Sequence, residues 1–148
     1  MKDLNTRLLE LGLQGFECSQ IMVFLALEAE GKENPDLIRA MGGLTGGLGH
    51  CGNICGALTG GCCVLGLFTQ KGEAEEMEHN QSREIIEKYL HWFEQEVGQT
   101  YGGILCSDII GGDFSKSIQV CAPLVGKSYE KVMELLYENG VIDDDLFE

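Results

Sequence analysis

The sequence predicts an all-α protein, a compact bundle of five or six helices around a central glycine- and cysteine-rich helix. Three observations lead there. Apolar residues recur at three- and four-residue spacing over most of the chain. No stretch shows sustained apolar–polar alternation with β-branched residues, so no sheet is expected. Residues 41–69, MGGLTGGLGHCGNICGALTGGCCVLGLFT, carry no Asp, Glu, Lys or Arg and hold four of the seven cysteines, which suits an interior element. At 148 residues the chain fits a single helical domain over 1–148, long enough to bury a core without covalent staples.

Taken in order, residues 4–30 form one long helix or two shorter ones broken near Gly12 to Gly15, with Leu4, Leu8 and Leu11, then Ile21, Met22, Leu25 and Ala29, at helical spacing. Cys18 opens the second part, on the side of Met22 and Leu25, and Gly31 is a stop signal. Asn34-Pro35 supplies an N-cap and a first-turn proline, with Asp36 where the helix dipole favours an acid. That helix runs to Met41 and frays into glycines. These glycines fit neither GxGxxG after a strand nor GxxxxGK[ST], so a tight turn is expected there rather than a nucleotide site.

The central helix is expected over residues 50–68. On it Cys51, Cys55 and Cys62 would fall within roughly 40° of one another at ~100° per residue. Gly52, Gly56 and Gly60 would form a smooth strip for close approach of another helix. Residues 73–97 give the longest amphipathic pattern, with Met77, Ile85, Tyr89, Trp92 and Phe93 inward. His79 and His91 on it are surface or half-buried side chains. After an irregular stretch, Cys106 lies near the start of a short helix ending at Gly111-Gly112. Pro123 restarts a helix through Tyr137, which Asn139-Gly140 stops. The tail Asp143-Asp144-Asp145 is expected to be solvated.

The net charge of −14 argues against nucleic acid, whose phosphates need a basic surface. Residues 48–68 are long enough for a membrane span, yet six glycines, Asn53 and His50 make them weakly hydrophobic, so a buried helix and no membrane partner are expected. The N-terminus lacks an uninterrupted apolar run and reads as no signal peptide, which places the protein in the cytoplasm.

Seven cysteines is an odd number, so complete pairing within one molecule is impossible. In a reducing compartment such cysteines suit metal ligation or redox chemistry better than structural bridges. Burial as small apolar groups is the plain alternative. There is no CxxC dithiol and no CxxCH for covalent haem. Cys51 and Cys55 one helical turn apart suit a shared metal better than a relaxed disulfide. Soft thiolates select zinc, copper(I) or iron–sulfur units. Cys106 and Cys121 each lie close to a helix start, where backbone amides and the dipole stabilise a thiolate, and Cys18 is placed similarly.

Cys18 in GFECSQ, Cys55 opening CGALTGG, then Cys106 and Cys121 repeat the order Cys … CGAxxG … Cys … Cys. In this the chain resembles the redox-active C_GCAxxG_C_C family, small proteins of about this length, mostly bacterial or archaeal. The resemblance implies four shared cysteines and a redox or metal-linked role. Cys51, Cys62 and Cys63 fall outside the pattern.

Two functions follow as expectations. In the first, Cys18, Cys55, Cys106 and Cys121 meet in one pocket of a thiol redox or electron-transfer protein, one pair cycling between dithiol and disulfide. That reading expects at least one thiol reactive at neutral pH, a redox protein as partner, and is compatible with a homodimer. In the second, the same four thiolates hold zinc or an iron or iron–sulfur unit, with Cys51 assisting. A third and weaker alternative is a helical interaction module whose cysteines only pack. Hydrolytic chemistry has little support, because His50 beside Cys51 is a neighbour in sequence and neighbours on a helix do not face each other.

Overall fold

The computed structural model describes residues 3–147. The described residues are all-α, with no strand longer than a single antiparallel bridge between Ile54 and Leu105. The helices are α1 (Leu4–Leu13), α2 (Cys18–Ala29), α3 (Pro35–Met41), α4 (Gly56–Thr69), α5 (Ser82–Phe93), α6 (Gln99–Tyr101), α7 (Cys106–Ile110), α8 (Ala122–Glu138) and α9 (Asp144–Phe147). Five of them have ten or more residues, the seven-residue α3 makes the sixth, and the remainder are single turns.

Local chemistry sets most of the boundaries as expected. The Asp3 carboxylate accepts from the Thr6 amide at 2.8 Å to start α1. The first segment does break in two, at Gly15 (φ +92°). Asn34 caps α3, its side chain accepting from the Leu37 amide at 3.1 Å, with Pro35 at the first helical position. The acidic tail is exposed and folds into the short α9.

Helix α4 is the hub, packing against α2, α5 and α8. Ala57, Val64 and Leu65 on it are fully buried. Its two glycine faces explain the close approach. A Cβ on Gly60 would lie 2.9 Å from Cα of Ser19 and 3.1 Å from Cβ of Met22, both on α2. A Cβ on the adjacent Gly61 would collide with the Tyr89 ring of α5. Tyr89 is fully buried, and its hydroxyl donates to the carbonyl of Ala57 at 2.7 Å. On the α2 side, the buried Ser19 hydroxyl donates to the carbonyl of Met41 at 2.8 Å.

Two expectations are corrected. The central helix begins at Gly56, not at residue 50. Gly46, Gly47, Leu48, Gly49, His50 and Gly52 all have positive φ, so residues 46–52 form a left-handed turn. The turn closes on itself, with the amides of Gly52 and Asn53 donating to the carbonyls of Gly46 and Gly47 at 3.1 and 3.0 Å. Cys51 is therefore off the helix and exposed, and the shared face of Cys51, Cys55 and Cys62 does not form. Gly52 likewise leaves the glycine strip.

The second correction concerns residues 73–97. Helix α5 starts at Ser82, and Met77 is 89% exposed instead of inward. The Glu76 carboxylate accepts from the amides of Gly72 and Glu73 at 2.7 and 2.8 Å. Local side-chain capture of backbone amides competes with helix formation, and the glutamates at 73, 75, 76 and 78 would repel one another along a helix. At its far end α5 runs on through a π-helical turn, Glu94–Gly98, into α6 and stops at Gly102 (φ +80°).

Candidate functional site

Each cysteine of the quartet stands at the start of a helix. Cys18 is the first residue of α2 and Cys106 the first of α7, while Cys55 and Cys121 are the N-caps of α4 and α8. Cys121 also ends a π-helical turn, Ser117–Cys121, a distortion frequently found at functional sites. All four line one cavity of about 320 Å³.

Backbone pairing brings Cys55 and Cys106 together. The Cys55 amide donates to the carbonyl of Ile104 at 3.0 Å, and the Cys106 amide donates to the carbonyl of Asn53 at 2.6 Å. This short ladder around the Ile54–Leu105 bridge ties the α4 start to the α7 start. Cys18 comes in from α2, against Gly56, where an added Cβ would collide with its sulfur. The glycine in CGAxxG thus leaves the space that the Cys18 thiol fills, and Gly60 of the same motif lets α2 lie close enough to bring it there.

The electrostatics oppose one expectation. Burial pushes the Cys55 thiol up to about 12, against the pull of the Ala57 and Leu58 amides. Burial also pushes Cys121 up to about 12, helped by Cys18 and Cys106 nearby. Cys18 is raised by burial, although amides of Gly46, Ser19 and Gly56 favour its thiolate. Cys106 is raised by burial and then by Cys18 and Glu17. Helix-start amides do reach Cys18, as the sequence implied, and Cys55, which the sequence reading placed inside the central helix, while the upward push on Cys106 and Cys121 has no such amide against it. Desolvation outweighs them, so these are neutral thiols near pH 7 and not activated thiolates.

Cys18 lies within electrostatic range of Cys55, Cys106 and Cys121 alike, adding a smaller upward push to each after burial. Cys51 is exposed and lies outside the cavity wall. Cys62 and Cys63 are half-buried on α4 and also outside it, with Cys62 pushed up to about 11 by burial.

Two wall residues were not part of the expected site. The His50 imidazole and the Glu17 carboxylate pair at 3.0 Å (Nε2 to Oε2), and both line the cavity. His50 holds φ +62°, a left-handed conformation that costs a non-glycine residue roughly 1–3 kcal/mol and recurs at functional sites. Its ring also meets Phe114 edge-on, 5.0 Å between centroids. Glu17 could have been suspected from its place beside Cys18. Nothing local marks His50, because the turn that aims it at Glu17 depends on five consecutive left-handed positions, 46–50.

The donor set is soft enough for zinc or iron–sulfur chemistry. Among the described residues, however, no three His, Cys, Asp or Glu side chains are grouped so that they could hold a metal ion. The quartet as arranged does not fit a metal cage.

Fold and cavity together define an all-helical protein with four thiols gathered at helix starts. The chain belongs to the family described as "Putative redox-active protein (C_GCAxxG_C_C)", whose sequence profile matches residues 16–135. In this chain the central block reads Cys55-Gly56-Ala57-Leu58-Thr59-Gly60, with the cysteine before the glycine. Comparison with curated proteins and with solved structures finds no match to the chain. The family description carries a redox role in general terms. No helix among the described residues is long and apolar enough to cross a membrane.

Proposed function

We propose that the protein is a thiol-based two-electron redox carrier in which Cys18 forms a reversible disulfide with one of Cys55, Cys106 and Cys121. The observation that carries this reading is the convergence of four cysteines, far apart in sequence, on the wall of one cavity. Two S–H bonds break, one S–S bond forms, and two electrons and two protons leave to an acceptor. The wall offers one imidazole and one carboxylate, His50 and Glu17, as proton acceptors for buried thiols that are otherwise held neutral.

Equilibration of the protein in redox buffers of uncharged thiols, dithiothreitol and 2-mercaptoethanol with their disulfides, tests the reading. The expected result is one two-electron transition, with Cys18 and one other member of the quartet lost together from the thiol count. Persistence of all four as free thiols across the series overturns it.

A further inference from the structure

We propose that the four-thiol cavity takes a neutral, largely apolar two-electron oxidant of the quinone class and turns away anionic oxidants. The inference rests on the redox reading above and adds the identity of the acceptor.

The walls argue for it first. Between the sulfurs they are built of Leu8, Ile21, Ile109, Ile110, Leu124 and Val125, and no lysine or arginine is among the lining residues. The other titratable side chains of the wall, Glu17 and His50, already face each other, Nε2 to Oε2 at 3.0 Å. Amides at the starts of α2 and α4 are directed to the Cys18 and Cys55 sulfurs. An entering carboxylate or phosphate would therefore lose its water with no free positive partner, a cost of several kcal/mol per ion. The protein as a whole adds a charge of −14 against it.

Size and mouth point the same way. A cavity of about 320 Å³ lies at the small end of ligand pockets, ~300–1,000 Å³, and suits a molecule of one or two rings. Residues 111–119 are all exposed, and this strap presents Phe114 and Ile118 to the cavity. Ile118 is 69% exposed and Phe114 42%, large apolar side chains standing in water at an opening that an apolar ligand would cover. The reaction balances without another reagent. Two thiols become a disulfide, and the quinone takes up the two electrons and two protons on its carbonyl oxygens as the hydroquinone.

The test uses the reduced protein without oxygen, in 1 M salt, where a Debye length of about 3 Å screens the surface charge. Neutral iodoacetamide and anionic iodoacetate are compared at each cysteine by mass spectrometry, with the exposed Cys51 as internal reference. The preference for the neutral reagent is expected to be at least about tenfold larger at the cavity cysteines than at Cys51. Ile118→Lys, at an exposed position, should reduce that preference several-fold. In a second arm, one equivalent of tetramethyl-1,4-benzoquinone, which has no open ring position for thiol addition, should give one hydroquinone and remove two quartet thiols. Equal preference at both kinds of cysteine, cavity thiols silent to both reagents, or a quinone left unreduced each overturn the inference. A reversible disulfide in the redox buffers alongside an unreduced quinone would remove the acceptor alone and leave the redox reading standing.

Discussion

At Cys55 two opposing influences can be weighed on a single sulfur. The amides of Ala57 and Leu58 at the start of α4 favour the thiolate, yet burial prevails and the thiol moves from 9.0 to about 12. Cys121 reaches about 12 and Cys62 about 11 for the same first reason, and Cys18 and Cys106 move in the same direction. Each of these groups binds its proton more tightly when folded than when unfolded. Their contribution to stability is complete below pH 9 and is lost as pH climbs from about 9 towards 12. The urea midpoint of the reduced protein should therefore fall between pH 8 and pH 10.5, and Cys55→Ala should make that fall shallower. A midpoint flat or rising over this range would mean that the thiols are not desolvated in the way described. Buried Tyr89 and Tyr129 shift upward for the same reason and add to the slope, which is why the comparison with Cys55→Ala is needed.

Helix α4 carries glycines with opposite packing roles, and they make a controlled pair. At Gly60 a new Cβ meets backbone, Cα of Ser19 at 2.9 Å, which cannot move without displacing α2. At Gly66 it meets only Cγ of Gln70 at 3.9 Å. Gly60→Ala should destabilise by about 1–3 kcal/mol through overpacking. Gly66→Ala, in the same helix interior, should stabilise by about 0.5–1 kcal/mol through propensity and unfolded-state entropy. Urea denaturation of the two variants reads both signs, and Gly60→Ala without loss would remove the close α2–α4 contact from the account. Elements of this kind were legible where the signal was local. Asn34-Pro35, Gly15, Gly111 and Asn139-Gly140 placed helix ends from cap chemistry alone. Legibility failed where a longer-range arrangement overrode the period. Residues 50–52 fit the helical glycine spacing yet belong to the left-handed turn that the glycines before them announced, and residues 73–80 keep an amphipathic pattern while Glu76 captures the backbone.

For the whole molecule, the sequence order Cys … CGAxxG … Cys … Cys named the quartet, and the fold explains why it gathers: four helix starts open onto one cavity. What the sequence could not carry was the cavity's character, because only the fold turns the apolar side chains flanking the cysteines and the His50–Glu17 pair toward one space. This arrangement makes oxidation a test of topology as well as chemistry. A bridge between Cys106 and Cys121 closes a loop of fifteen residues, worth about 3 kcal/mol of unfolded-chain entropy. A bridge from Cys18 closes a longer loop to Cys55, Cys106 or Cys121, worth roughly 4 to 4.7 kcal/mol on the same relation. Because the redox reading pairs Cys18 with one of the other three, the oxidised protein should gain the larger figure over the reduced one in urea denaturation at pH 7. A gain near 3 kcal/mol would assign the exchange to Cys106 and Cys121 and move Cys18 to a supporting position. A loss of stability on oxidation would mean that the disulfide strains the helix starts it joins, and that the reduced dithiol is the state this fold is built to hold.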